Sequence, residues 1–366
     1  MKKIRVGILF GGKSVEHEVS LQSAKNVLTA LDTDKYEAVL IGIDKSGIWH
    51  WNQESMDLLN DSDPKLIQMN ALDDELALIP GAQSNQIIDA VEQNHPGQID
   101  VVFPVLHGTL GEDGTVQGLL KLANIPFVGA GVLGSAVGMD KDVMKRLLRG
   151  DCIPIADFAA FNYSDKDKIV YSELVEKLGL PLFVKPANMG SSVGISKTGN
   201  QEDFEKAIDN AFQYDNKVII EEYIKGREIE CSVLGNEHPK ASLPGEILPQ
   251  ADFYSYEAKY IDEKGALLEI PAKLSDKKVK EVQDLALRTF RSLCCEGMAR
   301  VDLFLKENGE LIVNEINTIP GFTKISMYPK LWEVSGLPYG ELIDQLLELA
   351  LARHNREQAL KTSVEL

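Results

Sequence analysis

The sequence predicts a chain of α/β and α+β parts in three lobes, the first an N-terminal parallel α/β domain. Three observations lead there. The first third alternates strand and helix signals, the pattern of a parallel sheet with helices on both faces. Glycines at 129, 131, 134 and 138 then break that rhythm. Beyond Asp140 the signals become a mixed unit and end in a hairpin, with Met298–Leu305 and Leu311–Ile316 flanking the tight-turn pair Asn308-Gly309. The lobes are expected at 1–138, 139–220 and 221–366.

Taken in order, Ile4–Phe10 is a β-branched, apolar strand closed by Gly11-Gly12. Leu21, Ala24, Val27, Leu28 and Leu31 then recur at helical spacing. Ala38–Ile43 is a second strand, and the polar stretch from Asp44 to Pro96 is expected to hold insertions. Ile99–Leu106 is another buried strand, followed by a helix near Val116–Ala123 and a short strand at Pro126–Val128. A helix at Lys141–Leu148 opens the middle lobe. Strands at Leu182–Lys185 and Gly194–Lys197 and a helix near Phe204–Phe212 follow. The last lobe has strands at Val218–Tyr223 and Glu228–Leu234, and a long helix over roughly Asp276–Leu293. It closes with a helix at Tyr339–Ala352, and the tail after His354 is expected to fray.

The 366 residues are 44% hydrophobic and 26% charged, an ordinary globular balance, with a formal net charge of −18. Such a surface argues against nucleic acid and anionic membranes as partners, since both need clustered Lys and Arg. Any site for an anion must then be a local cationic exception. Cys152, Cys231, Cys294 and Cys295 contain no CxxC pair, and they read as small buried residues in a reducing compartment. No apolar run approaches membrane-spanning length, and Ile4–Phe10 is too short for a signal peptide, so a cytoplasmic protein is expected.

Two segments carry chemistry. In the first, Lys185 ends a buried strand and Met189-Gly190-Ser191-Ser192-Val193-Gly194 follows at once. Small residues let backbone N–H groups approach phosphate oxygens, and the lysine adds a point charge. The GxxxxGK[ST] pattern is absent, and an ordinary glycine-rich hairpin would read the same way in isolation. In the second, Arg300 and Asp302 lie two apart on one arm of the hairpin, as do Glu315 and Asn317 on the other. Period-two geometry puts each pair on one face, so two carboxylates and an amide converge near one arginine. Such hard oxygen donors suit Mg²⁺, which completes its shell with phosphate and water. A surface ion-pair cluster is the plain competitor, but Val301, Leu303, Val313 and Ile316 mark these strands as built for burial.

Together these segments resemble the ATP-grasp superfamily. Narrower motifs resemble the D-alanine–D-alanine ligase family, in that family's order. They are His17-Glu18-Val19-Ser20-Leu21, His107-Gly108 with Gly111-Glu112-Asp113-Gly114, Met139-Asp140-Lys141 and Ala258-Lys259-Tyr260. Asn317-Thr318-Ile319-Pro320-Gly321-Phe322-Thr323 runs on to Ser326-Met327. The resemblance spans residues 5 to about 332.

It implies an ATP-grasp fold and a homodimer in which ATP phosphorylates one D-alanine and the amine of a second attacks the acyl phosphate. It assigns Lys141, Lys185, Ser192 and Lys259 to ATP. Glu221 and the backbone of Ile224 would meet adenine and Glu228 the ribose, with the choice between adjacent Glu221 and Glu222 open. Asp302, Glu315 and Asn317 would hold Mg²⁺ or Mn²⁺, two ions per site. Glu18 would bind the first ammonium and, with Ser191 and Tyr260, join the lobes. A loop around Phe253–Asp262 would close over the site. Arg300 and the Gly321 N–H would form the oxyanion hole. Ser326 and the Met327 N–H would hold the second carboxylate, with His107 nearby. The residue that takes the second amine's proton stays open.

Three other readings compete with this one. A D-alanine–D-lactate ligase is the sibling, although Ala258-Lys259-Tyr260 resembles the dipeptide-forming pattern. A nicotinamide enzyme fits poorly, because Gly7-x-x-x-Gly11-Gly12 departs from GxGxxG. A non-catalytic nucleotide binder on the same fold should lack a lysine or a metal ligand, and this chain has all of them.

Overall fold

A computed structural model describes residues 2–51, 74–82, 84–89, 96–249 and 266–363. Strand β1 (Ile4–Gly11) pairs in parallel with β2 (Tyr36–Ile43) and, on its other side, with β6 (Val101–Pro104). These strands are apolar along most of their length because both of their faces are covered. Helix α1 (His17–Ala30) packs back on β1. The polar stretch after Asp44 contributes β3 (Trp49–Trp51), β4 (Asp74–Leu78) and β5 (Ile87–Asp89), all paired antiparallel. The first sheet is therefore mixed, in the order β5-β4-β3-β2-β1-β6, with its parallel part at β2-β1-β6.

Helices α2 (Thr115–Leu122), α3 (Val132–Met139) and α4 (Lys141–Gly150) follow. The glycine-rich stretch expected as a boundary thus contains a helix. Its glycines serve close packing: a Cβ on Gly134 would lie 2.8 Å from the Cys294 carbonyl oxygen, and one on Gly138 would lie 3.0 Å from Thr318.

The second sheet runs β7-β10-β8-β9, built from Phe158–Asn162, Lys217–Glu222, Leu182–Pro186 and Ser196–Thr198 in that spatial order. Helices α5 (Tyr171–Leu178) and α6 (Gln201–Ala211) bury Leu182, Val184, Val218 and Ile220 on one face. Strand alternation leaves Lys185 and Glu221 together on the other.

The third sheet runs β14 (Ala266–Glu269), β13 (Gly245–Pro249), β11 (Gly226–Gly235), β15 (Gly297–Lys306) and β16 (Leu311–Asn317), with β12 (Lys240–Ala241) beside β11. Helix α7 (Asp276–Ser292) covers Ile229, Cys231, Val301 and Leu303. The residues between them on these strands face away from that helix.

Helices α8 (Met327–Val334) and α9 (Tyr339–Gln358) follow, and α9 runs four residues past His354 into the segment expected to fray. The core beneath β1 and β6 is closed by residues far along the sequence: Phe322 meets Phe103 edge to face at 5.4 Å, and Tyr328, Trp332, Leu342 and Leu346 join them. From α9, buried Arg353 donates to the carbonyls of Phe127 (2.7 Å) and Gly129 (2.6 Å). Cys231 and Cys295 are buried as expected, whereas Cys152 and Cys294 are exposed. No helix among the described residues is long and apolar enough to cross a membrane.

Candidate active site

The β15–β16 register sets Arg300 opposite Asn317 and Asp302 opposite Glu315, so the four polar groups share the face away from α7. Arg300 donates from Nε and Nη2 to the two Asp302 oxygens, both at 2.7 Å, and its Nε lies 2.9 Å from Glu230 on the adjoining strand. Asn317 Nδ2 reaches Asp302 at 3.0 Å. Two carboxylates and one amide oxygen offer three protein ligand groups, a set that fits a hard cation drawing its other ligands from phosphate and water. Among the described residues no group of three or more His, Cys, Asp and Glu forms a self-sufficient cage.

Helix α4 and the second sheet supply the cations. Asp140 caps α4 by accepting from the Asp142 and Val143 N–H groups. One helical turn then places Lys141 and Lys145 on the same buried face. Lys141 donates to the Met189 carbonyl at 2.7 Å and lies 3.6 Å from Glu315 on the opposing hairpin. Lys145 and Lys185 both pair with Glu221. Burial pushes the Glu221 carboxyl up, but the two lysines outweigh it and hold the group at about 2. Glu222 points elsewhere, accepting from the Asp157 N–H at 2.7 Å, so only Glu221 is turned toward the lysines. Ile224 and Glu228 lie half-buried where β10 passes into β11.

The loop after β8 holds Ser191 and Ser192 at φ +50° and +62°. Two successive L-residues in the left-handed region cost roughly 1–2 kcal/mol each, which marks a loop fixed by its surroundings. One fixing contact is visible: Ser191 Oγ donates to Glu16 of the first lobe. The residue expected in that position, Glu18, is half-exposed and paired with Lys45 at 2.5 Å. The helix explains the exchange. Glu16 is the residue before α1 and turns inward, 4% exposed, whereas Glu18 falls on the outer side of the first turn. A Cβ on Gly190 would already be 3.3 Å from Glu16, so the two loops meet closely.

His107 is buried. Its Nδ1 lies 3.1 Å from the Ile319 carbonyl, which can only accept, so Nδ1 carries the proton. Nε2 then accepts from Ser23 Oγ (3.2 Å), which itself accepts from the Phe322 N–H (3.3 Å). Burial drops this imidazole to about 4. It is a neutral brace for residues 319–322. Glu112 braces the same loop from the other side. Its carboxylate accepts from the Gly108 (2.7 Å) and Ile319 (3.3 Å) N–H groups, and burial together with nearby Glu16 lifts it to about 8. In the braced loop Gly321 faces Ser326, where a Cβ would lie 2.7 Å from Ser326 Oγ. That hydroxyl also meets the Thr323 N–H (2.9 Å) and Oγ1 (2.8 Å). Met327, the first residue of α8, is packed against Ile247 and Leu331.

Lys141, Gly190, Glu315, Asn317 and Glu112 line a single pocket where the lobes meet. Lys259, Tyr260 and the loop around Phe253–Asp262 lie outside the described residues. Glu16, Glu112, Lys145 and Glu230 are members of this site that the sequence reading did not assign. Glu112 alone stood inside a quoted motif.

An N-terminal α/β lobe, a lysine-bearing second sheet and a carboxylate-bearing hairpin opposite it define an ATP-grasp ligase. The family models for the D-ala D-ala ligase N-terminus and C-terminus match residues 5–130 and 147–348. Over 363 residues the chain is 60% identical to the D-alanine–D-alanine ligase of Oceanobacillus iheyensis, covering 99% of each chain. It is 53% identical over 364 residues to D-alanine–D-alanine ligase A of Escherichia coli K12, covering 100% of both. The solved D-alanine–D-alanine ligase from Coxiella burnetii superposes with a TM-score of 0.85 at 41% identity, covering 98% of this chain and 97% of that one. The VanG D-Ala:D-Ser ligase from Enterococcus faecalis gives 0.84 at 35%, covering 95% and 100%. The chain belongs to the D-alanine–D-alanine ligase family.

Proposed function

We propose that this protein joins two D-alanines into D-alanyl-D-alanine, spending one ATP per peptide bond, for peptidoglycan precursor synthesis. The observation that carries the reading is the meeting, in one pocket, of Lys141 from the second lobe with Glu315 and Asn317 from the third. Lys141 and Lys185 would receive phosphate oxygens, with Lys259 and Ser192 beside them. Glu221, the Ile224 backbone and Glu228 would meet adenosine. Asp302, Glu315 and Asn317 would hold Mg²⁺ or Mn²⁺, which when bound neutralises the phosphoryl oxygens during transfer.

The γ-phosphoryl group passes to a carboxylate oxygen of the first D-alanine, leaving ADP. The second amine then attacks that carbonyl carbon, and phosphate departs as the amine loses a proton. Glu16 takes the place first given to Glu18, holding the first ammonium beside Ser191, with Tyr260 closing over it. Arg300 and the Gly321 N–H would receive the negative oxygen of the tetrahedral intermediate. Ser326 and the Met327 N–H would anchor the second carboxylate, next to the loop that His107 braces. The three lobes, 1–138, 139–220 and 221–366, divide these tasks, although β10 (Lys217–Glu222) spans the last of those limits. Consumption of ATP and free amino acids places the enzyme in the cytoplasm, and a homodimer is its expected assembly.

The test is phosphate release from ATP and Mg²⁺ with D-alanine, L-alanine, D-lactate or D-serine, with product identification. Release with D-alanine accompanied by dipeptide is the expected result. Release driven by L-alanine and not by D-alanine would overturn the reading.

A further inference from the structure

Lys145 has no part in the roles above, yet it is among the most deeply buried charges in the protein. Its side chain is 1% exposed and its Nζ lies 2.7 Å from Glu221 Oε1. Lys185 holds the other oxygen of the same carboxylate and is 13% exposed, on the sheet face opposite α5 and α6. One carboxylate is thus shared by two lysines of unequal access. Lys145 comes from α4 and rests near the Phe158 ring, 5.9 Å from its centroid, whereas Lys185 ends a strand beside the Gly/Ser loop.

A buried ion pair is costly to form but far costlier to break on one side, because the abandoned charge keeps its desolvation penalty. Had Glu221 only Lys185 for company, any anion recruiting Lys185 would strand a buried carboxylate. With Lys145 in place the carboxylate keeps a counter-ion throughout. Building on the proposed ATP site, we infer that Lys145 is a positioning residue. It is the resident counter-ion of Glu221 and leaves Lys185 exchangeable between Glu221 and the phosphates of a nucleoside triphosphate. Lys145 itself touches no ligand.

The inference separates from a merely structural role by a double-mutant comparison. Lys145→Met, Glu221→Gln and the double variant are compared with wild type in the full-length enzyme. The readouts are calorimetric binding of the non-hydrolysable analogue AMP-PNP with Mg²⁺, the KM values for ATP and D-alanine, and the melting temperature. In Lys145→Met the undischarged Glu221 clamps Lys185, so analogue binding and ATP KM should worsen by about tenfold or more while D-alanine KM stays near wild type. In the Glu221→Gln background the same change should alter binding by less than about twofold, since no carboxylate remains to clamp. Unchanged analogue binding in Lys145→Met, or an equal loss in both backgrounds, overturns the inference. If Lys145→Met does not fold, the double variant and Glu221→Gln still decide it: unequal nucleotide binding between those two refutes it. Failure of the ligase reading shows separately, as wild-type enzyme that makes no D-alanyl-D-alanine.

Discussion

The two glutamates that flank His17 give opposite expectations for one chemical change, the replacement of carboxylate by amide. Glu16 is buried and accepts from Ser191 Oγ, so it is held where an ammonium from the first substrate would lie. A hydrogen bond to a charged group in such a setting contributes about 1.5–3 kcal/mol, which corresponds to roughly 10- to 150-fold in affinity. Glu16→Gln should therefore raise the KM for the first D-alanine by that factor, with ATP KM little altered. Glu18 has a side chain 53% exposed and a surface partner in Lys45. Pairs of that kind contribute about 0.2–1 kcal/mol to stability, so Glu18→Gln should leave both KM values in place. Coupled phosphate release, measured while D-alanine is varied at saturating ATP, separates the two D-alanine sites by their KM values. A raised first-site KM in Glu18→Gln together with a normal one in Glu16→Gln would refute the structural assignment.

Three further outcomes are expected. Glu315→Gln should keep the wild-type melting temperature but lower kcat by at least about a hundredfold, because a lost anionic ligand weakens the proposed metal's hold on the phosphoryl group; kcat against Mg²⁺ concentration checks it. Gly11→Ala should cost roughly 3 kcal/mol or more in urea unfolding, because its φ is +88° and the new Cβ would meet the Ile43 carbonyl oxygen at 2.1 Å. Glu112, raised to about 8 by burial and its Glu16 neighbour, holds a proton in the folded state that the unfolded chain releases near its ordinary value. Its contribution to stability is complete at low pH and drains away as pH rises toward 8. The melting temperature should therefore fall across that interval in wild type and fall less in Glu112→Gln.

Features with a strong local signature were legible in the sequence. Asn308-Gly309 and the alternation around it specify the hairpin, and with it the shared face of Arg300, Asp302, Glu315 and Asn317. The strand ending at Lys185 declares itself by its apolar run. What escaped depends on rotation or distance. Glu16 and Glu18 are two residues apart at a helix start, and only the turn's phase decides which faces inward. Lys145 sits on a helix rich in Lys and Arg, where a lysine is ordinarily solvated. Helix α3 is hidden by glycines that usually break helices, and β3 to β5 are too short to show a period.

The core closed by Phe322, Tyr328, Trp332 and α9 has a consequence for biosynthesis. The strands it covers leave the ribosome first, and their covering residues follow more than two hundred positions later. At ordinary elongation rates that interval lasts roughly 10 to 40 seconds. Throughout it, Ile8, Phe10, Phe103 and Val105 have Leu21, Ala24 and Val27 of α1 for cover on that side and lack the rest of it, and the carbonyls of Phe127 and Gly129 wait for Arg353. The first third of this chain thus leaves part of its apolar face uncovered until the last residues are made. Expressed without its C-terminal helices, it would carry an open apolar face into solution.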